Sequence, residues 1–343
     1  MYDSAMLIKS YYTTGTGSLP LVDPVQACEF TLNAVDIPFW PQLPKRGFKE
    51  LMIPQYTEGF PFVVLDGDKI WIERARDESE LTAFYEALGK GGDFAMSEQY
   101  ASGFFAFIDL LKSRQAKLEA VKGHVTGPIT FTLGLTDKNR RPVFFDEELR
   151  ELALELLKGK VRWQIGQLKP YAGEVVMFVD EPVMSALGTS TYVGVDNNEV
   201  TRMLRTVVDE IHKSGAIAGI HCCSKADWGL VIDSGVDILN FDAFDYAESI
   251  HLYPEQIREF LERSGILAWG IVPSTEQFRW VNVDTLKSRL EGEMANLQRL
   301  GISGEALRSQ CMLTPSCGTG SMEREDSEKV FTLLKQLRAV YLG

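Results

Sequence analysis

The sequence predicts an α/β fold, a single (β/α)8 TIM barrel with an N-terminal hairpin excursion, and three observations predict it. Short β-branched or apolar runs alternate with long helical patterns along the chain, the rhythm of βα units around a parallel sheet. Eight such runs can be counted, a number that a barrel requires and an open sheet does not. The glycine cluster Gly15-Thr16-Gly17-Ser18 lacks the third glycine of a dinucleotide-binding turn, so a doubly wound sheet has no support.

The expected strands are Tyr11–Gly17, Asp36–Trp40, Val121–Thr126, Glu174–Val179, Ala216–His221, Val236–Phe241, Leu267–Val272 and Cys311–Thr314. Asp23 is a good N-cap for a helix over Pro24–Ala34. Leu149, Leu152, Ala153, Leu156 and Leu157 recur at three and four, which predicts a helix over Glu147–Leu168. Asn197–Lys213, Pro254–Arg263, Val283–Leu300 and Glu323–Leu342 read the same way, as do Asp77–Leu88 and Ser97–Glu119. Phe62–Ile72 reads as a hairpin turning at Asp66-Gly67-Asp68, outside the βα rhythm. No repeat, low-complexity tract or linker divides the 343 residues, so one domain over 1–343 is expected.

The formal net charge is −13 and no basic cluster stands out, which argues against nucleic acid or an anionic membrane surface as a partner. No apolar stretch is long enough to span a bilayer and no charged leader precedes an apolar core, so a cytoplasmic location is expected. Five cysteines in such a chain favour metal binding or simple burial over a disulfide framework.

Barrel sites lie at the C-terminal ends of the strands, and chemistry-bearing residues gather there. His221 and Cys223 stand two apart at the end of the fifth strand, so both can face one centre while Cys222 faces the helices. Cys317, in Pro315-Ser316-Cys317-Gly318 after the eighth strand, can reach the same point across the mouth. One imidazole and two thiolates suit zinc, with a fourth position for a carboxylate, water or substrate. Asp242, ending the sixth strand, is a candidate fourth ligand, against a capping role for the segment that follows. In Asp180-Glu181-Pro182 one carboxylate can enter the lumen while the other caps the next segment, and an inward Asp180 could accept from a substrate ammonium. Glu58 is a further candidate for the substrate's polar end. Cys28 and Cys311 read as buried small hydrophobes.

Several stretches resemble the catalytic barrel of the cobalamin-independent methionine synthase family, within the superfamily of uroporphyrinogen decarboxylase and corrinoid:thiol methyltransferases. They are Gly15-Thr16-Gly17-Ser18-Leu19-Pro20, Thr126-Gly127-Pro128-Ile129-Thr130, Val179-Asp180-Glu181-Pro182, His221-Cys222-Cys223, Ile238-Leu239-Asn240-Phe241-Asp242 and Thr314-Pro315-Ser316-Cys317-Gly318, in the family's order. The resemblance implies a zinc methyltransferase of methionine biosynthesis acting on homocysteine. It places the zinc ligands on His221, Cys223, Cys317 and, instead of the usual glutamate, Asp242. The homocysteine-binding serine falls on Ser18 and the amino-binding aspartate, counted with the catalytic residues, on Asp180.

Elements that serve the family's folate donor are missing. Gly134 stands where a pterin-stacking tryptophan is expected, and Pro273-Ser274-Thr275 replaces an Asp-x-His pair. The implied donor is therefore a methyl-corrinoid on a partner protein rather than methyl-tetrahydrofolate. Coenzyme M is an alternative acceptor. A uroporphyrinogen decarboxylase-like enzyme would need arginines at the mouth, where the early chain offers Arg46. A non-catalytic barrel that carries a corrinoid or thiol would close its zinc with four protein ligands.

Overall fold

The computed structural model describes residues 8–75, 77–189 and 192–342. Nine strands occur among them: β1 (Tyr12–Thr13), β2 (Val63–Asp66), β3 (Lys69–Ile72), β4 (Leu118–Thr126), β5 (Ala172–Asp180), β6 (Ile217–Cys222), β7 (Ile238–Phe241), β8 (Ile266–Val272) and β9 (Cys311–Pro315). Seven form one curled parallel sheet in the order β1-β9-β8-β7-β6-β5-β4. β2 and β3 make the expected hairpin, with Gly67 in the left-handed region at φ 56°.

The sheet is TIM-barrel-like, but the expected closed barrel of eight strands is corrected. The segment expected as the second strand is irregular and lies between the two edge strands. It is held by isolated contacts: Ile37 N–H donates to Thr13 O (3.0 Å), Lys122 N–H to Pro38 O (2.8 Å) and Gln42 N–H to Gly17 O (3.0 Å). Pro38 and Pro41 explain the irregularity, since neither has an N–H with which to continue a ladder. The first expected strand is likewise regular only over Tyr12–Thr13. The helix expected over Ser97–Glu119 is shorter, Ser102–Ser113, and Leu118–Glu119 belong to β4 instead.

The strands bury both faces, as a parallel sheet covered by helices must. Val121, Met177, Ile220, Leu239, Trp269 and Leu313 pack outward in the main helix-contacting core. Tyr12, Ala120, Phe178, Ile238, Ala268 and Met312 form a separate inner cluster. Above this apolar floor the inward positions become polar: His124, Asp180, His221 and Asp242 are all buried near strand ends. No helix among the described residues is long and apolar enough to cross a membrane.

Glu181 explains a pairing of motifs. Its carboxylate accepts from Ile129 N–H (2.9 Å), Thr130 N–H (2.8 Å) and the Thr130 hydroxyl (2.7 Å), capping the helix Pro128–Gly134 whose N-cap Gly127 has no side chain. It thus caps the helix after β4 rather than the segment following itself. A Cβ at Gly127 would stand 2.1 Å from the Glu181 carboxyl carbon, so Thr-Gly-Pro and Asp-Glu-Pro form one structural unit.

Two stability outcomes follow. Gly127→Ala should lower unfolding free energy by about 1–3 kcal/mol through overpacking against a fixed carboxylate, read from urea denaturation. His212 Nε2 lies 2.8 Å from Asp237 Oδ2, and that contact raises the imidazole pKa. A raised folded-state pKa gives stability that is complete below about pH 6.5 and fades as pH climbs through the folded value. Both side chains are roughly a third exposed, which limits the contribution to about 1 kcal/mol or less. His212→Ala should therefore lower the urea midpoint more at pH 5.5 than at pH 9, and an equal loss at both would refute the assignment.

Candidate metal centre and substrate cavity

His221, the last residue but one of β6, is in register with Asp180 of β5 on one side and Asn240 of β7 on the other. Cys223 follows just past the strand end, and the side-chain alternation persists far enough to aim it toward the same centre as His221. Cys317 arrives from the loop after β9. That loop is tied to the segment after β1, where Thr319 N–H donates to Ser18 O (3.0 Å) and Gly320 N–H to Ser18 Oγ (3.2 Å). A Cβ at Gly318 would stand 2.2 Å from Ser18 Oγ, so any larger residue would displace the hydroxyl that receives Gly320 N–H.

The result is a group of three: ligand atoms of His221, Cys223 and Cys317 lie within 4.8 Å of one another. His221 is almost fully buried. Its Nδ1 lies 2.7 Å from Asn240 Oδ1, while Nε2 has no hydrogen-bond partner. A buried imidazole nitrogen left unpaired beside two sulfurs calls for a ligand. Donors of one zinc stand roughly 3.5 Å apart at bonds of about 2.0–2.3 Å, so the group is already near ligating separation. The residues fit a thiophilic metal. Between the two sulfurs, Cys223 holds the lower pKa because the Cys317 thiol and then His221 favour its thiolate, and Cys317 is raised in turn by Cys223.

The group forms part of the wall of a cavity of about 290 Å³, with Thr16, Ser18 and Asp180 on the polar side and Pro44, Leu51 and Met52 among its apolar lining. Asp180 Oδ1 and Thr16 Oγ1 are buried without partners. Burial raises the Asp180 pKa while Lys122 opposes it. No arginine or lysine lines this cavity among the described residues, which removes the feature a polycarboxylate decarboxylase would need. A larger open groove of about 640 Å³ lies along Phe278, Val281 and Leu333, with Arg279, Asp326 and Lys329 on its rim; it contains none of the donor residues.

The sequence-derived candidates separate here. His221, Cys223 and Cys317 are brought together, and Ser18 and Asp180 line the cavity with them. Asp242 is not in the three-donor group. Its Oδ1 accepts from Phe244 N–H (2.9 Å) and Asp245 N–H (2.9 Å), the capping role, and burial pushes its pKa up to about 7. Glu58 lies apart from the group: its carboxylate accepts from Ser97 N–H (2.6 Å), its carbonyl receives the buried Lys160 ammonium (2.9 Å), and it is not among the residues lining the cavity.

Sequence reasoning missed Lys122 and His124. Lys122 is buried between the Phe39 and Phe178 rings and donates to Thr16 O (2.7 Å). His124 stacks on Trp40 at 3.8 Å with both ring nitrogens unpartnered, and burial followed by the Lys122 charge holds its pKa well down. The signal was available: Lys122, His124 and Thr126 alternate on one strand and put polar groups on the face that should enter the lumen.

No protein-family model and no curated protein matches the sequence. Among solved structures, a methyltransferase from Methanosarcina mazei is similar at 12% identity and TM-score 0.55, over 98% of this chain and 95% of that one. The two therefore share a fold along their whole length. An ochratoxinase from A. niger (16% identity, TM-score 0.27, 52% of this chain and 40% of that one) has too little structural likeness to bear on the comparison. The same holds for a GH5-4 broad-specificity endoglucanase from Clostridium acetobutylicum (11% identity, TM-score 0.29, 66% and 88%).

Cys28, Cys222 and Cys311 are buried, whereas Cys223 and Cys317 are partly exposed and line the cavity. Native metal-free protein should accordingly react with Ellman's reagent at two thiols, and denatured protein at all five. Mass mapping should find the native labels on Cys223 and Cys317.

Proposed function

We propose that this chain is a zinc-dependent methyltransferase that methylates a small thiol, as the cobalamin-independent methionine synthase family does. Homocysteine is the leading acceptor. A methyl-corrinoid carried by a partner protein is the leading donor. The observation that carries the reading is the unpaired His221 Nε2 set beside two cysteine sulfurs in the wall of a small cavity. The shared fold with a methyltransferase supports it.

His221, Cys223 and Cys317 would hold the ion in the cavity wall, while Asp242 keeps its Oδ1 on the turn it caps. Bound zinc supplies one thing: it lowers the pKa of a substrate thiol so that the sulfur is present as the nucleophilic thiolate. The rest is done by the chain. Asp180 offers an unpaired oxygen to a substrate ammonium. Ser18 Oγ already accepts from Gly320 N–H, so its own proton is free to be donated to a substrate carboxylate. Pro44, Leu51 and Met52 keep part of the wall apolar and limit water near the reacting sulfur.

The direct test assays homocysteine and coenzyme M against methylcobalamin and methyl-tetrahydrofolate, with zinc-loaded protein. Cys317→Ser should lose most of its zinc, measured by atomic emission, and nearly all methyl transfer. Asp180→Asn should keep its zinc yet raise KM for homocysteine at least about tenfold, the loss of one charge-assisted hydrogen bond. Its preference should shift toward a thiol without an ammonium group. Full zinc content and full activity in Cys317→Ser would overturn the reading.

A further inference from the structure

Asn240 lies on β7 beside His221 and is completely buried. Its Nδ2 is 2.9 Å from Ala268 O and 2.8 Å from Thr314 Oγ1, and its Oδ1 is 2.7 Å from His221 Nδ1. These contacts fix the amide's orientation. A backbone carbonyl can only accept, so the group facing Ala268 must be the NH₂ donor and the oxygen must face the imidazole. Flipping the amide would set two oxygens against each other at Ala268 in a site that water does not reach. An amide oxygen also only accepts, so His221 Nδ1 must carry the proton. In a neutral imidazole the remaining nitrogen, Nε2, then bears the lone pair.

We infer that Asn240 is a positioning residue: anchored by Ala268 O and Thr314 Oγ1, it locks His221 in the Nδ1–H tautomer and presents the Nε2 lone pair to Cys223 and Cys317. The inference deepens the zinc reading and rests on it for its functional sense. The opposite tautomer would place two lone pairs face to face across 2.7 Å and direct Nε2–H into the sulfur pair. A single amide thus chooses whether the site has three donors or two.

The tautomer can be read without metal. The chain has four histidines, so long-range ¹H–¹⁵N correlation spectra of metal-free, ¹⁵N-histidine-labelled protein can resolve each ring, with His221 assigned by its loss in His221→Gln. Burial opposes a second proton on the ring but the neighbouring Cys223 sulfur favours one, so the spectra are read at a pH high enough to leave His221 neutral. The expected pattern is then a protonated Nδ1 and an unprotonated Nε2, and a protonated Nε2 in the neutral ring overturns the proposal. Zinc affinity, measured by competition with a chromophoric chelator, tests the consequence. Asn240→Leu, which removes the acceptor, should bind zinc about 10–100-fold more weakly. Asn240→Asp, whose carboxyl when protonated can donate to Ala268 O while its other oxygen accepts from Nδ1, should recover most of that loss. Circular dichroism checks that the variants fold, and if Asn240→Leu does not, the native tautomer and Asn240→Asp still decide. Folded Asn240→Leu with native zinc affinity would overturn the positioning role. An Nδ1–H tautomer in a native chain that binds no zinc would support the lock and overturn the metal reading instead.

Discussion

The candidate site depends on the contact between the segment after β1 and the loop after β9. Ser18 receives Gly320 N–H on its hydroxyl and Thr319 N–H on its carbonyl, and Gly318 has no side chain to hold the two apart. This clasp turns the chain back over the strand ends and delivers Cys317 to a pair of donors at and just past the end of β6. Without it, His221 and Cys223 would be two polar residues at the end of a buried strand. The contact joins opposite ends of the sequence, so the group exists only once the parallel sheet has brought β1 and β9 side by side.

A second constraint is the change of character along the sheet's inner face. Apolar side chains fill its lower part, and above them Lys122, His124, Asp180, His221 and Asn240 are buried. Some are matched within the chain: Lys122 reaches Thr16 O, and Asn240 uses both ends of its amide. Others are left open, among them Asp180 Oδ1, Thr16 Oγ1, His221 Nε2 and both nitrogens of His124. Buried polar atoms without partners are uncommon because each forfeits its hydration, and they mark where a fold gives up stability for a ligand. Those of Asp180 and His221 stand level across neighbouring strands, with His124 two residues below on β4.

Much of the fold was legible because strand and helix periodicities are local. Helices such as Pro24–Ala34, Glu147–Leu168 and Asn197–Lys213 have the boundaries their caps and spacing imply. The segment around Pro38 and Pro41 was misread because an apolar run suggested a strand, while the missing N–H groups that break its ladder matter only where a neighbour waits for them. Asp23 capped its own helix, but Glu181 caps a helix on a different strand's loop, and no local pattern distinguishes the two cases.

The amino-acid order alone determined the α/β rhythm, the hairpin and the types of donor available, because these depend on neighbours within a few positions. It also put His221 and Cys223 on one side of a strand. Only the tertiary structure decided which hydrogen-bond donors each candidate acidic group meets. Asp242 commits its Oδ1 to its own turn, Glu58 accepts from Ser97 N–H, and Asp180 keeps an unpaired oxygen in the cavity wall. A carboxylate goes to whichever hydrogen-bond donors the packed chain leaves within reach, and those donors come from segments that sequence spacing does not connect.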